Sequence, residues 1–225
     1  IQTIKDETKL QVIQNYSDYE IIHSIIKNYS ADEKQYYEFS KNLKSKKFGI
    51  NFLFLLYPKN ILNKIREKFA EQNVFIRQFF VSSYSKSLFY LKEIANFKNV
   101  VFVDIGYQRT TTLLFKDGKL ENLEILPIGG NHITKDISKI LNINLIDAEK
   151  LKLNLNELNI LNNFEQEDSE LIKKIIFSRT EELLEKSTEM KEIEHSSNDL
   201  KLVFFGNGSK ILDNKFNSKI VFDKN

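Results

Sequence analysis

The sequence has no cysteine and no tryptophan, and only two of its 225 residues are proline and seven are glycine. Without cysteine, the fold cannot depend on disulfides or on a thiolate metal site, and a reducing cytosol is permitted. Long apolar runs are also missing: stretches such as "FLFLLY" from Phe52 are far shorter than the ~18 residues that indicate a membrane span. We therefore expect a soluble, cytoplasmic protein.

An excess of charge of one sign is missing as well. The chain carries 33 Lys and Arg against 31 Asp and Glu, which gives a formal net charge of +2. This balance offers no electrostatic case for a nucleic-acid partner, so none is expected. What the chain does have is 41% hydrophobic residues, enough for one large domain or two small ones.

The first half of the chain has an irregular pattern. The stretch "LQVIQNY" from Leu10 is compatible with a strand, and the polar stretch from Ser30 predicts a loop or a weak helix. "GINFLFLLYP" (49–58) then predicts a buried strand that ends at a proline. A helix from Lys59 and a further strand at "NVFIRQFFV" (73–81) complete a strand, helix, strand series.

The second half predicts its elements more clearly. A helix from Ser85 leads into a buried strand at "NVVFVDIG", and two further strands follow at "TTTLLF" and "KLENLEIL". Asp117 and Gly118 lie between these two strands and favour a type I′ turn, in which both central residues need positive φ, so we predict a hairpin. Helices are then predicted from Asn131, over "LIDAEKLK" and over "SELIKKIIFSRTEELLEK", with an irregular "LNLNELNILNNFEQED" between the last two. A buried strand "LKLVFF" and a glycine-rich turn complete the series.

Two of these motifs are suited to phosphate. Asp104 follows a strand and could hold a magnesium-bound water, while the turn from Gly106 offers backbone N–H groups to phosphate oxygens. The alternative is a tight turn with a solvated aspartate. Gly129 and Gly130 precede a helix, whose free N–H groups and dipole favour an anion. Their alternative is close helix packing.

Two further motifs are suited to a nucleoside. Glu149 and Lys152 lie on one helical face and could reach a ribose or an adenine edge, although a surface ion pair is the commoner explanation. Gly206 and Gly208 would let a flat base lie against backbone, or form an ordinary strand-to-helix turn. The three histidines are scattered without metal-ligand spacing, which indicates surface or cap residues: His23, His132 and His195.

Taken in order, these segments resemble a known family. "VDIGYQRTTTLLFKDGKLENLEILPIGGNHITKDI", "DAEKLK" and "LVFFGNGSKIL" are similar to the second large domain of the actin, sugar-kinase and Hsp70 superfamily. Within it they resemble the bacterial cell-division protein FtsA, over roughly residues 98–212, and "PIGGNHITKDI" followed by "AEKLK" is the most specific part. Residues 49–91 resemble the strand, helix, strand of the small SHS2 (1C) domain of FtsA and the helix after it. The pilus assembly protein PilM shares this layout.

The resemblance implies an α/β fold: an actin-like (ribonuclease-H-like) domain with a small SHS2 (1C) subdomain. The expected boundaries are residues 1–82 for the SHS2-like part and 83–225 for the actin-like IIA domain, with IIB reduced. It also implies ATP as the cofactor, with Mg held through water by Asp104. The binding residues carried over by the resemblance are Asp104, Gly106, Arg109, Thr110, Gly129, Gly130, Glu149, Lys152, Gly206, Asn207 and Gly208.

This chain departs from the family pattern at the phosphate turn. Gln108 and Arg109 stand where the family has glycine and threonine, so the backbone cradle loses room, although Arg109 could itself approach a phosphate as a bidentate donor. A first phosphate loop, a full IIB subdomain and the amphipathic membrane-binding helix of FtsA are not found in the sequence. We therefore expect a truncated or degenerate member.

By this resemblance, the expected function is that of an FtsA-like adaptor. It would bind ATP, self-associate through its SHS2 domain and link the FtsZ ring to the inner membrane, at the cytoplasmic face of the division site. No catalytic residue is identified, so ATPase activity is expected to be weak or absent. Two alternatives stay open: a PilM-like scaffold that binds a peptide of a membrane protein, and an ATP-hydrolysing kinase or chaperone domain.

Overall fold

The chain forms two compact units in a computed structural model that describes residues 1–32, 34–39, 45–94, 97–154, 166–189 and 200–211. Unit 1 comprises Ile1–Ala95 together with Asp117–Glu121. Unit 2 comprises Asn96–Lys116 and Asn122–Asn225. Each unit has its own sheet.

Unit 1 is an antiparallel sheet with three helices. Its elements are α1 (Gln2–Asn15), β1 (Tyr19–Ala31), β2 (Lys34–Tyr36), β3 (Phe48–Pro58), α2 (Lys59–Ala70) and α3 (Ser82–Leu91). The strand order is β2-β1-β3, and β1 pairs with β3 along nearly its whole length. The predicted strand at 49–58 and the helices that follow from Lys59 and Ser85 are therefore confirmed.

Three predictions for unit 1 are wrong. Residues 10–15 are the second half of α1, because helix-forming Gln, Lys, Glu and Leu run on from Gln2 without glycine or proline. The loop or weak helix predicted from Ser30 is wrong at Ser30 and Ala31, which complete β1, and at residues 34–36, which pair with it as β2. Residues 37–39 and 45–47 belong to no helix or strand, as a loop requires, and residues 33 and 40–44 lie outside the described residues. A pairing partner decides the second case, and a short polar run carries no signal of such a partner.

The third error is the strand predicted at residues 73–81. Within the described residues this segment joins no sheet, and Phe75 is 82% exposed. Its apolar residues resemble a strand, but the chain turns at the end of α2, where the Val74 N–H donates to the Phe69 carbonyl. Further along, the Val81 N–H donates to His23 Nε2 at 3.0 Å instead of to a strand carbonyl.

In its described residues, unit 2 is a mixed sheet with three α-helices. Its elements are β4 (Asn99–Ile105), β5 (Thr110–Lys116), β6 (Lys119–Leu126, the first three residues of which are assigned to unit 1), α4 (Gly130–Ile140), α5 (Leu145–Leu153), α6 (Gln166–Thr188), β7 (Leu200–Phe205) and a 3₁₀ helix (Asn207–Ile211). The strand order is β6-β5-β4-β7, with β7 parallel to β4. All of the predicted strands and helices of this half are present, while residues 155–165 of the irregular stretch lie outside the described residues.

The hairpin prediction is confirmed in detail. β4 pairs antiparallel with β5 from Asn99 opposite Lys116 to Ile105 opposite Thr110. The turn to β6 is made by Asp117, with φ 45°, and Gly118, with φ 74°. Both central residues thus have the positive φ that a type I′ turn requires.

The core of unit 2 has two parts. One surrounds β4, whose residues 100–103 are completely buried between β5 and β7. The other joins the three helices through apolar side chains such as Ile137, Leu151 and Ile176. The second part holds the beginning of α4 and the inner face of α5 in place, and both carry residues of the candidate site.

Candidate nucleotide site

The parallel strands β4 and β7 place two predicted motifs side by side. Asp104 lies opposite Phe205 in the register, so the turn at Gly206 follows directly beside it. Gly206 has φ 89°, and a Cβ on it would overlap the Asp104 carboxylate. A Cβ on Gly208 would likewise overlap Ile105 and come within 2.8 Å of its carbonyl oxygen. Only glycine therefore allows the two turns to approach so closely.

The turn after Asp104 is closed by a backbone hydrogen bond from Gly106 N–H to the Arg109 carbonyl at 2.9 Å. The side chains of Tyr107, Gln108 and Arg109 are exposed around it. Thr110 is fully buried, and its hydroxyl donates to the Ile128 carbonyl at 2.8 Å. Thr110 thus holds the turn, and Arg109 is exposed beside it.

The same turn caps the amino terminus of α4. Gly130 N–H donates to the Gly106 carbonyl at 3.0 Å, and Asn131 N–H donates to the Tyr107 carbonyl at 2.7 Å. Gly129 N–H donates to His132 Nδ1 at 3.1 Å. His132 is therefore a cap residue of α4, which is one of the two roles, surface or cap, that the sequence indicated for the histidines. His132 N–H in turn bonds to the Gly129 carbonyl. Four N–H groups that a helix end usually leaves open therefore already have partners.

Gly129 is the closest contact between the helix and the turn. A Cβ on this residue would lie 2.6 Å from the Gly106 oxygen and 2.7 Å from the Tyr107 oxygen. Any side chain here would push α4 away from the turn, so glycine is needed for the carbonyl cap. Close packing, the alternative to anion binding considered for this motif, is thus a real role of Gly129.

Glu149 and Lys152 form an ion pair on α5, with Nζ 2.7 Å from the Glu149 carboxylate. The pair is not a surface pair, because the Lys152 side chain is only 5% exposed against 32% for Glu149. The Lys152 ammonium also donates to the Gly130 carbonyl at 3.0 Å and to the Thr134 hydroxyl at 2.8 Å. The Thr134 hydroxyl contacts the Glu149 carboxylate as well.

Helix α4 is supported on another face by α6. The Arg179 guanidinium donates to both carboxylate oxygens of Asp136 on α4 and also to Glu182. The hydrogen bond to Asp136 and then that to Glu182 raise the pKa of Arg179. This pairing fixes α4 against α6, and the position of the helix is set from both sides.

The predicted residues thus fall into three groups. Those at the ends of β4 and β7 and at the start of α4 come together: Asp104, Gly106, Thr110, Gly129, Gly130, Gly206 and Gly208. Arg109 and Asn207 are exposed at the edges of this group. The ion pair of Glu149 and Lys152 joins this group at the start of α4, where the Lys152 ammonium donates to the Gly130 carbonyl.

Sequence reasoning missed Thr134, which links Gly130, Glu149 and Lys152. The signal for it was available, because Thr134 follows Gly130 by four residues and therefore lies on the same helical face. In the described part of the chain, no three His, Asp or Glu side chains are grouped to hold a metal ion directly. Coordination of Mg through water at Asp104 stays a prediction.

Comparison with protein families gives a match in the same part of the chain. Residues 101–210 match the model of the family described as "Cell division protein FtsA". FtsA of Buchnera aphidicola is 23% identical over 137 residues, which are 61% of this chain and 33% of that protein. FtsA of Streptococcus pneumoniae is 27% identical over 140 residues, 62% of this chain and 31% of that protein. The chain spans about a third of the length of these relatives, and the predicted resemblance to FtsA is confirmed.

Comparison with solved structures confirms the predicted fold class. A PilM-PilN type IV pilus biogenesis complex matches with a TM-score of 0.67 and 15% identity, over 93% of this chain and 57% of that one. MreB5 of Spiroplasma citri bound to ADP matches with a TM-score of 0.50 and 16% identity, over 68% of this chain and 55% of that one. The fold is α/β and actin-like. None of the helices in the described ranges has the length and apolar character needed to cross a bilayer.

Proposed function

We propose that this chain is part of an FtsA-like cell-division adaptor that binds adenine nucleotide, self-associates and links FtsZ polymers to the inner membrane. One observation carries the proposal. The segment that matches FtsA, residues 101–210, folds so that the turn after Asp104, the start of α4 and the turn at Gly206 meet at one end of the sheet. The membrane link would be made at the cytoplasmic face by another part of the protein.

The proposed nucleotide lies across this group of residues. Its phosphates would meet the turn at residues 106–109, with Asp104 holding a magnesium-bound water. The ribose would approach Glu149, whose side chain is 32% exposed, and the adenine would lie against residues 206–208. We assign no nucleophile or base among the described residues of this group, so the activity proposed here is nucleotide binding.

Binding by this chain should be weak. The N–H groups of Gly130 and Asn131 are already bonded to carbonyls of the turn, and Gln108 and Arg109 surround that turn with long side chains. A phosphate would have to displace these internal bonds, which offsets most of the gain from its own. We expect Mg-ATP to bind with a Kd of about 100 µM or weaker, and no measurable hydrolysis.

Titration calorimetry with Mg-ATP tests this expectation. Replacing both long side chains, Gln108→Gly with Arg109→Thr, should tighten binding, because the turn regains room for a phosphate. Submicromolar binding by the unaltered chain, abolished by Asp104→Ala, would show that the turn works as it stands and would contradict our account. Binding unaffected by Asp104→Ala and by Gly206→Val would place any nucleotide elsewhere.

Self-association is proposed to use unit 1, which we identify with the SHS2-like subdomain. Large apolar side chains are exposed there, including Phe75 at 82%, Phe80 at 63% and Phe89 at 63%. Exposed apolar groups of this size favour contact with another protein. Sedimentation velocity should show a concentration-dependent species that Phe75→Ser with Phe89→Ser removes. Tyr107→Ser, at a 58% exposed aromatic of unit 2, is the control and should leave association unchanged.

A PilM-like scaffold is the alternative from another process. The likeness to the PilM-PilN complex is at 15% identity and therefore indicates a shared fold, not a shared partner. Co-sedimentation with FtsZ polymers separates the two proposals: retention by FtsZ supports the adaptor. Loss of the chain from the FtsZ pellet, with retention on an extended peptide of a membrane partner, would support the scaffold.

A further inference from the structure

Lys152 is the one charged residue among the buried side chains of the described residues. A lysine ammonium has three N–H donors and no acceptor. Here three acceptors surround Nζ within hydrogen-bond distance: the Gly130 carbonyl, the Thr134 hydroxyl and the Glu149 carboxylate. All three donors are therefore used inside the chain, and none is left for the hydroxyls of a ribose.

The Gly130 carbonyl connects the Lys152 ammonium to the start of α4. Gly130 is the first residue of α4, and its own N–H bonds to the carbonyl of Gly106. The contacts therefore run without a gap from α5 through Lys152 and Gly130 to the turn at residues 106–109. A buried lysine without acceptors would be costly, so the ammonium and its three partners hold one another in place.

We propose that Lys152 is a positioning residue: it fixes the amino terminus of α4, and through it the turn at residues 106–109, and does not contact the nucleoside. The part of this inference that concerns ligand affinity rests on the proposed nucleotide function. The half-exposed Glu149 is then the member of the pair that meets a ligand. A hydrogen bond from a ligand to Glu149 would compete with Lys152 for the same carboxylate.

The chain provides a matched control on the same helix. Lys150 also pairs with a carboxylate three residues earlier, Asp147 at 3.5 Å, but its side chain is 65% exposed. Hydrogen exchange with mass spectrometry would compare Lys152→Met with Lys150→Met. We expect Lys152→Met to speed exchange about tenfold at residues 106–109 and 129–132, since the buried Gly130 carbonyl loses its charged donor and keeps only the weaker Thr134 hydroxyl. Lys150→Met should leave these rates unchanged, and residues 100–103 of β4 should stay protected in both variants.

A chemical rescue tests whether the ammonium itself is responsible. The sequence has no cysteine, so Lys152→Cys introduces the single thiol, which can be alkylated in urea before refolding. 2-Bromoethylamine gives a side chain of lysine length with a terminal amine, and 1-bromopropane gives one of the same length without it. The unaltered chain taken through urea is the control for refolding. We expect the amine to restore protection at residues 129–132 and the propyl group not to.

Three results would overturn the proposal. The first is unchanged exchange at residues 106–109 and 129–132 in Lys152→Met. The second is a loss of protection spread evenly over unit 2, or equal rescue by the propyl group, since either would reduce Lys152 to general packing. The third is loss of Mg-ATP binding without any change in exchange, which would make Lys152 a ligand contact. If the unaltered chain binds no nucleotide, the proposed function fails, but the exchange and rescue results still decide the role of Lys152.

Discussion

The two units differ most in how deeply they bury strands of similar apolar character. In unit 2, β4 has strands on both edges, and residues 100–103 are completely buried. In unit 1, the described residues place a strand on only one edge of β3, and its side chains are mostly half-buried. The few buried apolar side chains of unit 1 within the described residues are Tyr29, Ala31, Leu62 and Leu120. The position of a strand in its sheet, and not its apolar character alone, thus decides how deeply its side chains are buried.

The largest expected effect separates the two strands directly. Phe102 on β4 is fully buried against Phe115 and Phe205, whereas Phe54 on β3 is half-buried against Phe52. Phe102→Ala should lower the free energy of unfolding by about 3–5 kcal/mol, because it leaves a cavity that the core cannot close. Phe54→Ala should cost about 1–2 kcal/mol. Urea unfolding of both variants measures the difference, and equal losses would remove the contrast between the units.

A smaller effect is expected at two glycines with positive φ. Gly206 in unit 2 and Gly118 in unit 1 have φ 89° and 74°. Alanine at Gly118 meets nothing within 4 Å, so it should cost only the backbone strain of about 1–2 kcal/mol. Alanine at Gly206 would also overlap Asp104 and Ile105. Gly206→Ala should therefore lower the free energy of unfolding by about 1–2 kcal/mol more than Gly118→Ala does. Thermal unfolding checks the order, which would be reversed if the turn at Gly206 could move freely.

The smallest expected effect is a pH dependence of unit 1 that comes from one histidine. Burial lowers the pKa of His23, whose Nε2 accepts the Val81 N–H only when it carries no proton. The unfolded chain takes up this proton below about pH 6.5, while the folded state resists it. Unit 1 should therefore keep its full stability above that pH and lose stability as the pH falls to the lowered folded-state pKa.

Urea midpoints at pH 7.5 and 5.5 test this loss. His23→Gln should make the midpoint less dependent on pH. A dependence that persists in His23→Gln would assign it to other groups. The ion pair of Glu20 with Arg66 should not change stability between these two pH values. The hydrogen bond from Arg66 lowers the pKa of Glu20, so the stability that this pair contributes is lost only at more acid pH.

Much of unit 2 could be predicted because its signals are local. The Asp117 and Gly118 turn, the two glycines before α4 and the glycine after β7 each dictate backbone geometry over a few residues. In unit 1, by contrast, α1 and residues 73–81 were misassigned, because a short apolar run becomes a strand only if a partner edge is there to receive it. The burial of Lys152 could not be predicted either, because Glu149 and Lys152 have the same spacing in a surface pair.

The carbonyl cap on α4 also has a consequence for the rate at which a ligand could bind. An anion that is to use the N–H groups of Gly130 and Asn131 must wait until the Gly106 and Tyr107 carbonyls have released them. Association through these groups would then be limited by opening of the turn and not by diffusion. In stopped-flow mixing, the observed rate would level off at high ligand concentration, at the opening rate of the turn itself.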